Sequence, residues 1–232
     1  YGLSGDSFLD VVSLSSWTQL TIDQCDTTTF PGTITGGGSL VKAGGGTLIL
    51  TGANDYTGTT TITGGVIALG GSGTISGANL SLGGPEGTGV LAAQGSFSRN
   101  FGFGDGEVNI SGEGGGFSAY GGPLTLALSG TWQSTPGFLS DANGGALVFG
   151  DTTVADNVVT WTGNIDLGGA TRTIVVNDNP NSTADYAEIT GIIPNGGLVK
   201  DGDGTLKVSG TNTYAGGTEI LGGTLVAGSS QA

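Results

Sequence analysis

GSLVKAGGGTLILTGANDYTGTTTITGGVIALG, residues Gly38–Gly70, returns as GGLVKDGDGTLKVSGTNTYAGGTEILGGTLVAG at Gly196–Gly228. Aligned without a gap at an offset of 158, the two 33-residue stretches agree at 17 positions. Glycines, core-type aliphatics and an Asn-x-Tyr turn persist between the copies, whereas the acids do not. Self-similarity at a fixed spacing is the sequence mark of stacked architectures. Within Thr47-Leu48-Ile49-Leu50, alternate residues face one side of a strand and can stack on the rungs above and below. Gly and Asn punctuate the strands, and a solenoid corner needs residues that enter left-handed backbone conformations cheaply. The reading is an all-β parallel β-helix, or β-solenoid, with minimal helix; a sandwich or barrel is the alternative that shares its strand spacing.

Composition agrees with a turn-rich β protein. Gly accounts for 50 of 232 residues, yet hydrophobic residues make up 36%, in short β-branched runs, so a core can form. Nineteen acids stand against Lys42, Arg99, Arg172, Lys200 and Lys207, for a formal charge of −14. That balance argues against nucleic acid and anionic membranes as partners, because both need clustered cations. No apolar run approaches the roughly 20 residues of a membrane span, and direct membrane insertion is not expected. The missing initiator Met suggests a processed or excised chain. Cys25 stands alone and cannot make an internal disulfide framework.

Strand signals recur along the chain at Thr47–Thr51, Thr59–Thr63, Val66–Leu69, Ile75, Asn79–Leu82, Val90–Ala93, Glu107–Ser111, Gly116–Tyr120, Leu124–Leu128 and Ala146–Phe149. They continue at Val158–Thr162, Arg172–Asn177, Ala187–Ile193, Leu198–Lys200, Thr205–Ser209, Thr218–Leu221 and Thr224–Ala227. Repetition weakens over residues 71–195, where GEGGGFSAYGG and TWQSTPGFLSDANGGALVFGD read as loops or widened rungs. Residues 38–232 are assigned to the solenoid. Residues 1–37 form an apolar N-terminal segment, a cap or a strand-exchange element; within it Phe8–Ile22 alternates as an extended strand does.

The pattern Leu40-Val41-Lys42, Gly44, Gly46-Thr47-Leu48, Gly52, Asn54, Tyr56, Gly58, Thr60, Ile62, Gly64-Gly65 resembles the passenger-associated transport repeat of bacterial autotransporters, also called the autotransporter-associated β-strand repeat. The second copy matches it through Leu198-Val199-Lys200, Gly202, Gly204-Thr205-Leu206, Gly210, Asn212, Tyr214, Gly216, Thr218, Ile220 and Gly222-Gly223. About 66 residues carry the strong match, and GFSAYGG and NIDLGGATRTIVVND are similar to the spacers between such repeats. The resemblance implies a right-handed β-helix, exported and extracellular at a bacterial surface, with the repeat tied to passenger folding and transport. The membrane-embedded barrel that defines an autotransporter has no counterpart in this sequence.

The shared residues can be explained without a ligand. Gly44, Gly46, Gly64 and Gly65, with Gly202, Gly204, Gly222 and Gly223, would turn corners. Asn54 and Asn212 would bond backbone groups in their turns. Tyr56 and Tyr214 would lie over those turns with their hydroxyls near solvent. Asp201-Gly202-Asp203-Gly204 has the look of a calcium loop, but the first copy offers Ala43-Gly44-Gly45-Gly46, so no metal site and no cofactor is assigned. Hydrolysis would need two carboxylates on one groove, with Asp105 and Glu107, or Asp201 and Asp203, as the pairs to watch. Without His, most general-base constellations are excluded, and no catalytic residue is assigned. Trp17, Trp132 and Trp161 could stack on sugars but are more often core. Cys25 is expected to be a buried thiol. Asn79, Asn109 and Asn181 head glycosylation sequons that read as chance.

These readings converge on a non-enzymatic extracellular structural protein: a spacer, an adhesin stalk or a self-assembling fibre subunit. A carbohydrate-binding adhesin module is the alternative, and a polysaccharide-degrading enzyme a more distant one. Self-association head to tail, other surface proteins and glycans are the partners to consider.

Overall fold

The computed structural model describes residues 11–84, 87–139 and 145–228. Among them there are strands, turns and no helix, and every strand pairing is parallel. The chain climbs as a solenoid with three stacked sides. The first carries Gln19–Asp23, Ser39–Ala43, Thr60–Ile62, Leu80–Leu82 and Val108–Ile110 in one five-stranded sheet. The second runs the length of the molecule through nine strands, from Thr28–Phe30, Thr47–Leu50 and Gly65–Leu69 up to Thr171–Val176, Gly197–Asp201 and Thr218–Ile220. Two long strands, Gly89–Phe97 and Gly114–Leu126, bend out of the second side into the third, which continues through Val159–Trp161, Ala187–Ile189, Thr205–Val208 and Thr224–Ala227. Lower on that side Val11–Leu14 pairs with Thr33–Gly36, so residues 11–36 already stack on the turn that follows. Phe8 lies outside the described residues.

Register measures the turns. Leu40 lies opposite Thr60 and Leu206 opposite Leu225, so a turn takes 20 or 19 residues within the repeats. Leu124 lies opposite Val159, so it takes 35 in the middle. A wider turn encloses more cross-section, which must be filled at close packing. Here Phe101, Trp132, Phe138, Phe149 and Trp161 fill it, with Phe101 and Phe138 stacked 4.5 Å apart and Phe149 edge-on to Trp161 at 5.9 Å. The middle is therefore a set of widened rungs, and GFSAY is a strand inside one of them.

A second, smaller apolar cluster lies on the outer face of the second side. Val66, Ala68, Val90, Ala92 and Val148 point away from the interior and pack with Val154 of the segment after Phe149. Asp151 folds that segment by accepting from the Thr153 and Val154 amides, and Thr153 Oγ1 reaches Thr47 Oγ1 at 2.9 Å. The strap covers an outward apolar stripe that a plain alternation of polar and apolar residues would leave bare.

The two repeat copies occupy different sides. The strand of Lys42 belongs to the first side and that of Thr47 to the second, whereas the strand of Lys200 is on the second and that of Thr205 on the third. The sequence copies are thus out of phase by one side of the solenoid.

Corners are set by a few glycines. Gly44 and Gly65 hold φ of +70° and +67°, and Gly202 and Gly223 repeat this at +78° and +61°. A Cβ on Gly65 would meet the Gly46 carbonyl at 2.3 Å, whereas one on Gly45 would meet nothing within 4 Å. Gly65→Ala is expected to cost about 2–3 kcal/mol of unfolding free energy from strain and clash, and Gly45→Ala almost nothing. Urea midpoints of the two variants check this.

Candidate functional site

In both copies the shared polar residues form one arrangement, built mostly around backbone groups, with a Tyr–Thr hydroxyl pair beside them. Lys42 has its stem between Ile22 below and Ile62 above, in the interior stack. Its Nζ donates to the carbonyls of Ala43 (2.6 Å), Gly44 (2.8 Å) and, one turn up, Gly64 (3.4 Å). Lys200 repeats this with Asp201 (2.8 Å), Gly202 (2.7 Å) and Gly222 (3.1 Å). Both lysines are 0% exposed. Ala43 O also accepts from Gln24 N at 3.3 Å, but among the described residues no backbone amide reaches the corner carbonyls of Gly44 and Gly64, which is why a donor with three hydrogens is retained there. Burial lowers the Lys42 pKa to about 8, with the nearby Asp23 and Cys25 opposing the shift. Burial also lowers that of Lys200 against Asp201 and Asp203.

Asn54 ties three turns together. Its Oδ1 accepts from Ile34 N below at 2.8 Å, and its Nδ2 donates to Gly52 O and, above, to Thr74 O at 2.8 Å. Asn212 accepts from Ile193 N at 3.0 Å, but its Nδ2 is buried with no partner among the described residues. Tyr56 Oη and Thr60 Oγ1 are 2.6 Å apart, and Tyr214 Oη and Thr218 Oγ1 2.8 Å. The Tyr56 hydroxyl is therefore inside, not at the solvent edge, because Thr60 is itself fully buried and needs a partner. Burial raises the pKa of Tyr56.

The other cations follow the same rule. Arg99 donates to Ser76 O and Ala78 O and lies 5.4 Å over the Phe97 ring; Arg172 donates to Leu167 O and lies 5.9 Å over the Trp132 ring. Four of the five basic side chains thus serve the chain's own carbonyls. Lys207 instead pairs with Glu188 at 3.0 Å, partly exposed.

The remaining sequence candidates disperse. Trp132 and Trp161 are core residues, and Trp17 alone is fully exposed, at φ +70° in the turn after Leu14. They make no row. Cys25 is exposed rather than buried, since it sits in the turn after Gln19–Asp23 and only Gln24 of that turn points in. Asn79 and Asn109 are buried in a ladder, Asn109 Nδ2 donating to Asn79 Oδ1 at 2.8 Å, so of the three sequons only Asn181 is exposed. Glu107 accepts from Gly104 N at 2.7 Å within its own loop. Asp55 and Asp105 both line an open groove with Asn54, Tyr56 and Ser76, where Asn54 and Tyr56 are already committed to Ile34, Thr74 and Thr60. At Asp201–Asp203 the cation held by the corner carbonyls is the ammonium of Lys200. Among the described residues no cluster of three or more His, Cys, Asp or Glu side chains could hold a metal.

A family model described as the passenger-associated-transport-repeat matches residues 40–69 and 198–227. The chain is also 33% identical, over a 254-residue alignment taking in 89% of its length, to part of the protein named Adhesin BmaC autotransporter from Brucella suis biovar 1 (strain 1330). It spans 7% of that relative's length. No solved structure matches it.

Proposed function

From the premise that this chain carries two passenger-associated transport repeats on a parallel β-solenoid, we propose that it is a rigid, non-catalytic segment of a bacterial surface adhesin, a spacer rather than the adhesive tip. One observation carries the reading: of the polar residues kept between the copies, Lys42, Lys200, Asn54 and Asn212 bond the chain's own backbone, and Tyr56 and Tyr214 pair with Thr60 and Thr218, so these groups are committed within the fold. A binding surface would keep outward groups instead, and the outward acids differ between copies. The relative's name supports surface display in an adhesin. A scattered negative charge serves solubility of such a rod.

Beads carrying the folded chain test this against glycan arrays and cultured cells. Binding no stronger than that of protein-free beads is expected. Saturable binding lost on Trp17→Ala would replace the spacer with an adhesive module.

A further inference from the structure

The third side has a break in its backbone ladder midway along the chain. Below the break, Asp55 N and Thr57 N donate to Ile34 O and Gly36 O; above it, Ala127 N donates to Phe97 O and Leu124 N to Val158 O. Between residues 74–76 and 95–97, no amide of one segment meets a carbonyl of the other. The strand Gly89–Phe97 pairs upward along both its halves, with a register shift between Ala93 and Gly95. Only Gly89–Ala92 pairs downward, with Gly65–Ala68.

Phe97 O points up to Ala127 N, so alternation turns the N–H and C=O of Ser96 down into the break. Neither has a partner among the described residues, and Ser96 is exposed. The break is a groove of about 300 Å³ walled by Leu69, Ile75, Leu91 and Phe97. Arg99 spans it, donating to Ser76 O and Ala78 O with two of its five N–H groups. No Asp or Glu lines the groove, in a chain with 19 acids.

We propose that this break binds an extended peptide from a partner protein, added as a parallel strand beneath Gly95–Phe97. Its apolar side chains enter the groove and a carboxylate at its C-terminal end meets Arg99. Three features select that occupant. Ser96 offers a donor and an acceptor together, which a peptide unit satisfies and an acyl chain would leave unpaired. Alternate side chains of an added strand face one way, and the walls of Leu69, Ile75, Leu91 and Phe97 take apolar ones. Arg99 follows Phe97 in the chain, so a strand running parallel, as its neighbours do, brings its C-terminal end to the guanidinium. In a chain of charge −14, an acid-free groove beside an arginine is where a carboxylate is least repelled. The inference goes beyond the spacer role, which stands if no peptide binds.

Calorimetric titration of the folded chain with the acetylated peptide Thr-Val-Thr-Val-Asp tests this. Saturable binding with a Kd of about 0.1–1 mM is expected, since the contact is short. Ser96 faces out and Phe97 in, so the central Thr lies opposite Ser96 and the second Val donates to Ser96 O. N-methylation of that Val is expected to weaken binding about tenfold or more. N-methylation of the central Thr should change it little, because its N–H faces down, where Asn54 and Arg99 already hold the carbonyls of Thr74 and Ser76. An amidated Lys in place of the terminal Asp should also cost about tenfold or more. Ser96→Pro removes a donor that the chain's own ladder does not use, and should weaken binding to a similar degree with unchanged circular dichroism. No saturable binding below about 5 mM, or equal affinity for the two methylated peptides or for the Asp and Lys peptides, would overturn the proposal.

Discussion

Lys42→Met is expected to lower the unfolding free energy by about 2–4 kcal/mol, read as a fall in urea midpoint at unchanged slope. Methionine keeps the stem's volume between Ile22 and Ile62 but strands the carbonyls of Gly44 and Gly64, each an acceptor worth about 1–3 kcal/mol when orphaned and less where water reaches the corner, while Ala43 O keeps its bond from Gln24 N. Lys42→Ala adds the lost burial of the stem, about 0.8 kcal/mol per methylene, so it should be the worse of the two. The polar contribution is thereby separated from the packing one. The pH response has a definite sign. The folded pKa of Lys42 is about 8 against 10.5 for the ordinary lysine, so between these values the folded chain has released a proton that the unfolded chain still binds. Stability from this group therefore rises with pH across that window and is lost as pH falls through 8. The gap between parent and Lys42→Met should widen from pH 7.5 to 9.5, below the point where Tyr56, whose pKa is raised, works the other way.

Trp161→Ala is expected to cost about 3–5 kcal/mol, the range for removing a large aromatic from a packed core. Trp161 is fully buried against Phe101, Phe138 and Phe149, with ring centroids at 6.2, 6.2 and 5.9 Å. The cavity would open in a 35-residue turn, whose wide cross-section leaves its neighbours little means of collapse. Its Nε1 has no partner among the described residues, so Trp161→Phe forfeits area but no hydrogen bond seen there and should cost about half as much. Calorimetric midpoints for the two variants give the comparison.

The stacked architecture was legible because period-2 alternation, glycine corners and an exact-offset repeat all point to it. Leu48, Ile62, Leu198 and Leu206 are interior as their pattern demands. Ser39–Ala43 and Thr28–Phe30 escaped notice as strands, although Leu198–Lys200, which matches part of the first, reads as one. Lys42 was the informative miss. It shares the parity of Leu40, which faces in, and it recurs at Lys200 in a chain with three lysines, so position and repetition together marked it as interior. Tyr56 misled because a tyrosine in a turn is commonly wet at its tip, and only the burial of Thr60 reverses that. The strap at 151–157 was not legible at all, since its partners Val66 and Val90 are more than 60 residues away.

The phase difference between the copies bears on why the repeat is kept. Lys200 and Asn212 act on different sides of the solenoid from Lys42 and Asn54, yet Lys200 repeats the corner carbonyl contacts and Asn212 repeats the acceptor contact to the turn below. A patch for a partner would turn away with the side; a device that closes corners works on any side.

The direct measurement is amine labelling of the folded chain with a small acylating reagent, followed by peptide mass spectrometry. Lys207, partly exposed beside Glu188, should react quickly, while Lys42 and Lys200 should stay unmodified until the chain is unfolded. Equal labelling of all three lysines in the folded state would contradict the claim that the repeat exists to hold its own backbone.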